Sequence, residues 1–291
     1  MKRRAVKLFL IAFCALATIS CNKQKDAAKK QTSGIISGKI TVISREEGSG
    51  TRSAFTELFE ILDQNKNDIM TLDAEITNNT AVMLSSIKSN KRSIGYVSMS
   101  SLNSEVKAIE INGVEANIEN AVNDTYPISR PFIIVTRNQI SELAQDFIKF
   151  IMSVNGQEVV QKNGYISLYE SEVFVSSYVS GKIVVVGSSS VSPLMEKLKE
   201  AYSAINENAK IEIQQTDSSA GIKAVENAIC DIGMSSRALK DSEKNKGFQI
   251  QIIAKDGIAV IVNNENSINN LSKEQVKSIF KGEISKWDEL K

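Results

Sequence analysis

Four times in this chain a β-branched or apolar run is followed by a turn crowded with hydroxyls, and three of those turns open an amphipathic segment. Residues 40–43 lead into Ser44-Arg45-Glu46-Glu47-Gly48-Ser49-Gly50-Thr51-Arg52, after which Phe55, Leu58, Phe59 and Leu62 recur at i, i+3, i+4 and i+7. Residues 183–186 lead into Gly187-Ser188-Ser189-Ser190-Val191-Ser192-Pro193, followed by Leu194, Met195, Leu198, Tyr202 and Ile205 at helical spacing. Residues 211–213 precede Asp217-Ser218-Ser219-Ala220-Gly221 and a helix bearing Ile222, Val225 and Ile229. The fourth unit is Asp231-Ile232-Gly233-Met234-Ser235-Ser236-Arg237. A period of two giving way repeatedly to one of 3.6 predicts an α/β chain with a doubly wound, mostly parallel sheet. Such sheets bind ligands at the carboxyl ends of their strands, where these turns lie.

The turn chemistry suits a small anion. Glycine lets the backbone come close to a ligand where a Cβ would intrude. The first amides of a helix lack internal partners and carry its positive dipole end. Ser49 and Thr51 add hydroxyl donors, and Arg45 adds a planar fork that fits a tetrahedral oxyanion. A single serine-glycine turn before a helix is an N-cap. Four of them in one alternating chain predict a cradle assembled from several helix N-termini.

Composition removes most alternatives. The 291 residues include no histidine, which excludes Ser-His-Asp and Cys-His catalysis and every histidine-ligated metal site. No carboxylate cluster has metal-ligand spacing and no activated nucleophile stands out, so neither an enzyme nor a metal or cofactor is expected. The formal charge is +1, and without Lys2, Arg3, Arg4 and Lys7 it falls to −3. Nucleic acid finds no basic excess here. An anion must be held by local hydrogen bonds.

The N-terminus predicts export. Residues 1–7 are basic, 8–16 apolar but too short to span a bilayer, and Thr18-Ile19-Ser20-Cys21 places a small residue before cysteine. This pattern looks like a bacterial lipoprotein signal over 1–20, with Cys21 lipidated and the protein held at the extracytoplasmic face of the membrane, in a periplasm or at the cell surface. Residues 21–38 then form a polar, lysine-rich tether. Cys14 leaves with the signal, so Cys230 is the remaining thiol of the folded part and reads as a small buried hydrophobe.

Between the ligand turns the pattern is that of packing elements. Asn79-Thr80 caps a helix with Val82, Leu84 and Ile87 on its apolar side. Strands are predicted at 93–98, 106–111, 132–135, 250–253 and 258–262, and amphipathic helices over 140–152 and 157–161, the latter ended by Asn163-Gly164. Ser192 caps a helix with Pro193 in its first turn. Ser272-Lys273-Glu274-Gln275 is a capping box before Val276, Ile279 and Phe280.

Taken together, the four turns resemble those of the phosphate-binding proteins of bacterial phosphate ABC transporters, over essentially residues 39–291. The resemblance implies a two-lobed type II periplasmic-binding-protein fold that binds inorganic phosphate in its cleft and delivers it to a membrane permease. It implies Arg45, Ser49, Gly50, Thr51, Ser189 or Ser190, Ser218 or Ser219, and Ser235 or Ser236 as phosphate contacts. Glu47 would accept the phosphate proton, where better-known members have aspartate. Ser236-Arg237 departs from the pattern at a turn where some members place aspartate.

The order departs too. In the family the Gly187-type turn comes first, and the Arg45-type turn follows a stretch like Trp287-Asp288-Glu289-Leu290, which here ends the chain. The halves are swapped, as in a circular permutant. One lobe is then expected from 39–100 plus 263–291 and the other from 101–262, with hinge crossings near 100 and 262. The alternatives are halves that pair between chains in a swapped dimer, and a surface scaffold that has lost its ligand.

Overall fold

The computed structural model describes residues 36–168 and 172–290. β1 (Thr41–Arg45) is buried from Val42 onward and runs through the hydroxyl-rich turn into α1 (Gly50–Leu58). β2 (Glu75–Thr77), α2 (Thr80–Ser89, capped by Asn79) and β3 (Ser93–Ser98) follow, and β1 lies parallel between β2 and β3. The short β4 (Val106–Ala108), β5 (Glu110–Ile111) and α3 (Ile118–Val122) precede β6 (Ser129–Thr136). α4 (Glu142–Ile151) and α5 (Val154–Lys162) come next, each opened by a serine cap.

The alternation then repeats. β7 (Gly181–Ser188), α6 (Ser192–Ile205), β8 (Ala209–Thr216), α7 (Ser218–Glu226) and β9 (Ile232–Ser235) form a second parallel trio with β7 in the middle. α8 (Asp241–Lys244), β10 (Gln249–Asn263), β11 (Asn270–Leu271) and α9 (Lys273–Lys281) follow, with a single 3-10 turn at Trp287–Glu289 after them, and the predicted Ser272–Gln275 capping box is formed. Ser192 is the first residue of α6 rather than its cap, and its hydroxyl donates back to the Ser188 carbonyl at 3.0 Å.

The strand order is β2-β1-β3-β10-β6-β9-β7-β8, with β4 also on β10 and β5 paired separately with β11. β10 holds the two trios together. It pairs antiparallel with β3 (Ile258 opposite Ser98) and with β6 (Asp256 opposite Arg130). The two strands expected at 250–253 and 258–262 are therefore one, bulged between Ile252 and Ala254.

Two main cores flank the crossing. The first gathers Ile43, Phe55, Tyr96, Ile128, Val260 and Phe280, with the Phe55 and Tyr96 rings stacked at 4.0 Å. The second gathers Phe132, Phe147, Leu198, Tyr202 and Met234. A smaller cluster of Ile133, Val135, Val186, Ile222 and Val225 covers the other face of β6, as strand alternation requires. The change of core falls at 129–131 and 255–257, not near 100 and 262. Val106, Ile109, Ile111, Ala121 and Tyr126 all pack into the first core, and Ile258 to Val262 do the same from β10.

The N-terminal and C-terminal segments of the described chain meet. Near its ends the Ile40 amide donates to the Ser285 carbonyl at 2.8 Å and the Trp287 amide to that of Gly38 at 3.0 Å. Among the described residues no helix is long and apolar enough to cross a membrane. The proposed signal, Cys21 and most of the tether lie outside the described residues.

Candidate functional site

The carboxyl ends of β1, β7, β8 and β9 converge between the lobes. At the end of β1, Arg45 is 3% exposed, and its guanidinium donates to both oxygens of Glu46, from Nε at 2.8 Å and from Nη2 at 2.7 Å. Nη2 also donates to Ser189 Oγ in the other lobe, at 3.1 Å. The Arg45 amide donates to the Tyr96 hydroxyl, which bonds Ser44 Oγ at 2.8 Å. Burial pushes the Tyr96 phenol up to about 12, so it stays protonated and neutral near neutral pH. Beyond the turn, Ser49 Oγ accepts from the Arg52 amide and caps α1.

From the second lobe, the turn after β7 brings Ser190 Oγ to 2.8 Å from Thr51 Oγ1 and Ser189 Oγ to 3.4 Å from Thr80 Oγ1. Only glycine fits where this turn begins. Gly187 has φ +143°, and a Cβ there would lie 2.3 Å from the Met234 carbonyl oxygen. After β8, Asp217 Oδ1 caps α7 by accepting from the Ala220 amide, and the Ser219 amide donates to the Gly48 carbonyl at 3.3 Å. After β9, the Ser236 amide donates to Ser218 Oγ at 3.1 Å, and Ser188 Oγ donates to Ser236 Oγ at 2.9 Å. Arg237 Nη2 donates to Ser219 Oγ at 3.1 Å.

These bonds fix what the site can do. A hydroxyl has one hydrogen and two lone pairs, whereas amides and guanidinium groups only donate. Ser189, Ser218, Ser219 and Ser236 each accept from a neighbour; Ser218, Ser219 and Ser236 keep their own hydrogen to give, and Ser189 and Thr80 share one hydrogen between them and keep the other. Thr51 and Ser190 share one hydrogen between them and keep the other. Most of these hydroxyls are almost wholly buried. A cluster so rich in hydrogen to donate, with Arg45 beside it, suits a small anion with several acceptor oxygens.

Most of the predicted residues meet here: Arg45, Gly50, Thr51, Ser189, Ser190, Ser218, Ser219 and Ser236. Ser49 lies at the same turn with its hydroxyl engaged in the cap. Ser235 is occupied locally, accepting from the Arg237 amide and donating to the Arg237 carbonyl. Glu47 is exposed, and the carboxylate that meets Arg45 is Glu46. The residue expected to accept the phosphate proton, Glu47, is thus an exposed side chain at the edge of this turn. Sequence reasoning missed Glu46, Thr80, Ser188 and the bonds of Arg237. In the sequence Thr80 is part of a helix cap and Ser188 part of a serine run, and neither carries a signal of contact across the lobes. Cys230 is buried as expected, and burial pushes its thiol up to about 11. No group of three or more acidic or cysteine side chains that could hold a metal is present among the described residues.

The sequence matches the model of the PBP superfamily domain over residues 6–155 and 175–291. The chain belongs to the PBP superfamily. Within that superfamily it is similar to the phosphate-binding protein PstS 2 of Streptococcus agalactiae serotype V, with 48% identity over 258 residues, 87% of this chain and 88% of the relative. It is 43% identical to the phosphate-binding protein PstS 2 of Streptococcus pneumoniae serotype 4 over 293 aligned residues, 99% of both chains. Among solved structures it resembles the phosphate-binding protein of a phosphate ABC transporter from Streptococcus pneumoniae TIGR4. That likeness has a TM-score of 0.69 and 46% identity, covering 87% of this chain and 100% of the other.

Proposed function

We propose that this PBP-superfamily member is the substrate-binding component of a phosphate ABC transporter. It captures inorganic phosphate between its lobes and releases it to a permease, with no covalent chemistry. The observation that carries the reading is the Arg45–Ser189 bond together with the Thr51–Ser190 pair, which join guanidinium and hydroxyl donors of opposite lobes. The names of the streptococcal relatives support the same ligand. The test is thermal unfolding of residues 22–291 in phosphate-free buffer, with phosphate or sulfate added and oligomeric mass recorded. A ligand that binds only the folded state raises the midpoint by mass action. A phosphate-dependent rise from a monomer is expected. An unchanged midpoint at millimolar phosphate would leave a scaffold without cargo, and a rise from a dimer alone would favour swapped halves.

Cys21 anchors the chain by lipid at the extracytoplasmic face of the membrane in this reading. Cys21→Ala would release the protein from the membrane fraction, and continued membrane retention would refute the anchor. The swapped order is, in this reading, a circular rearrangement of the binding-protein fold. It is supported by the contacts joining Gly38 and Ile40 to Trp287 and Ser285. A chain recut to begin at Gly181, with residue 291 linked to residue 38, should still unfold cooperatively and bind phosphate. Failure to fold would count against the rearrangement.

A further inference from the structure

Arg237 belongs to the Ser236-Arg237 turn, at which the family resemblance places aspartate in some members, and the anion reading so far gives it no task. Arg237 is 4% exposed, and its guanidinium is firmly held. Nη1 donates to Glu243 Oε2 at 2.8 Å and to the Ala238 carbonyl at 2.9 Å, and Nη2 donates to Glu243 Oε1 at 2.9 Å. Glu243 in turn accepts from the Lys240 amide at 2.8 Å, so the carboxylate is itself fixed. The remaining contact of Nη2 is Ser219 Oγ, at 3.1 Å. Nε is buried and has no hydrogen-bond partner among the described residues.

The bond to Ser219 has one possible polarity. A guanidinium cannot accept, so Ser219 Oγ must use a lone pair on Arg237, and its single hydrogen is left for another acceptor. Ser219 lies in the first turn of α7, and its amide donates to the Gly48 carbonyl of the opposite lobe. The same residue therefore touches the Arg45 turn through its backbone and faces Arg237 through its side chain.

We propose that Arg237, clamped by Glu243, is a positioning residue of the anion site that commits the Ser219 hydroxyl to donate to the bound anion. The proposal rests on the phosphate reading above. It separates two tasks that an arginine beside the site could have. Acting through Ser219, it matters only while that hydroxyl is present. Acting as a mere staple between the turn after β9 and α8, it changes stability, or changes affinity independently of Ser219.

A double-mutant cycle distinguishes these. Calorimetric titration of inorganic phosphate into the full-length protein is made for the wild type, Ser219→Ala, Arg237→Met and the double variant, with unfolding midpoints recorded without phosphate. Each single change is expected to weaken phosphate binding about tenfold, the scale of one hydrogen bond to a charged partner. The double variant should bind within about twofold of Ser219→Ala alone. Arg237→Lys keeps a cation beside Glu243 without the planar fork and serves if the methionine variant does not fold. It should weaken binding when Ser219 is present and not when it is absent. Unchanged affinity on replacing Arg237, or losses that multiply in the double variant, would overturn the proposal while leaving the phosphate reading intact. A wild type that binds no phosphate would overturn both.

Discussion

Thr51 Oγ1 and Ser190 Oγ lie 2.8 Å apart although 139 residues of chain separate them. Thr51 is in the first turn of α1 and Ser190 follows β7, so their contact exists only when the two lobes meet. Both are nearly excluded from water. Thr51→Val keeps the shape and removes the hydroxyl. It should weaken phosphate binding by about 1.5–3 kcal/mol, the range for hydrogen bonds to a charged group, with a small effect on stability without ligand. Titration calorimetry reads this directly, and wild-type affinity in the variant would remove Thr51 from the site.

Arg45 bridges Glu46 and Ser189 with one planar group. A lysine ammonium cannot reproduce two parallel bonds to a carboxylate while also reaching a hydroxyl, so Arg45→Lys is not conservative here. The expected loss is at least about 1.5 kcal/mol in phosphate affinity. The fold should survive, because the Glu46 side chain is 22% exposed and can be hydrated when its partner is lost. A lysine variant with wild-type affinity would show that bidentate geometry is irrelevant.

Gly50 opens α1 directly against the second lobe. A Cβ on it would lie 2.2 Å from Ser218 Oγ and 2.6 Å from Ser236 Oγ. Alanine is the better helix former by about 0.8–1 kcal/mol, so the first lobe does not suffer from Gly50→Ala. Closure does. The variant should unfold at the wild-type temperature or above without phosphate, and should lose the phosphate-dependent rise. A full ligand-induced shift in Gly50→Ala would mean that the lobes need not approach this closely.

The strand–turn–helix units were legible because two kinds of evidence coincide in each: a change of period, and serine or aspartate at the cap. Which core a buried strand joins was not. The apolar runs at 106–111 and 258–262 look like any others, and their place is set by pairing between β4 and β10, about 155 residues apart in the chain. Lys255-Asp256-Gly257 interrupts the apolar sequence of β10 and gives it the pattern of two strands. That interruption is where the strand passes between cores, and Asp256 is buried there against Arg130. Which of Glu46 and Glu47 meets Arg45 was not legible for a simpler reason. They are adjacent in a turn, and their directions depend on how β1 is seated, which composition does not record.

The Arg130–Asp256 pair marks this crossing. Arg130 Nη2 is 3.0 Å from Asp256 Oδ2, and the two side chains are 2% and 1% exposed. Ser98 Oγ donates to the other carboxylate oxygen at 2.7 Å. Removing one member of such a pair leaves an uncompensated buried charge, typically costing about 3–5 kcal/mol. Arg130→Met should lower unfolding stability by that amount in urea titrations, and the paired change Arg130→Met with Asp256→Leu should recover much of it. A single variant as stable as the wild type would mean that water or another cation reaches Asp256.

Glu243 supplies a pH signature for the clamp on Ser219. Burial alone would raise its carboxyl, but the bonds from Arg237 and the Lys240 amide prevail and hold it below the ordinary glutamate value. A carboxyl depressed by folding contributes stability that is fully present above its unfolded pKa of about 4.3 and is lost as pH falls through the lower folded value, because in that window the unfolded chain binds more protons. The stability gap between the wild type and Glu243→Gln should therefore be open at neutral pH and narrow as the solution is acidified below about pH 4. Unfolding midpoints measured from neutral to acidic pH follow this gap. One that stays constant across the range would show that the ionised carboxylate adds nothing to the clamp.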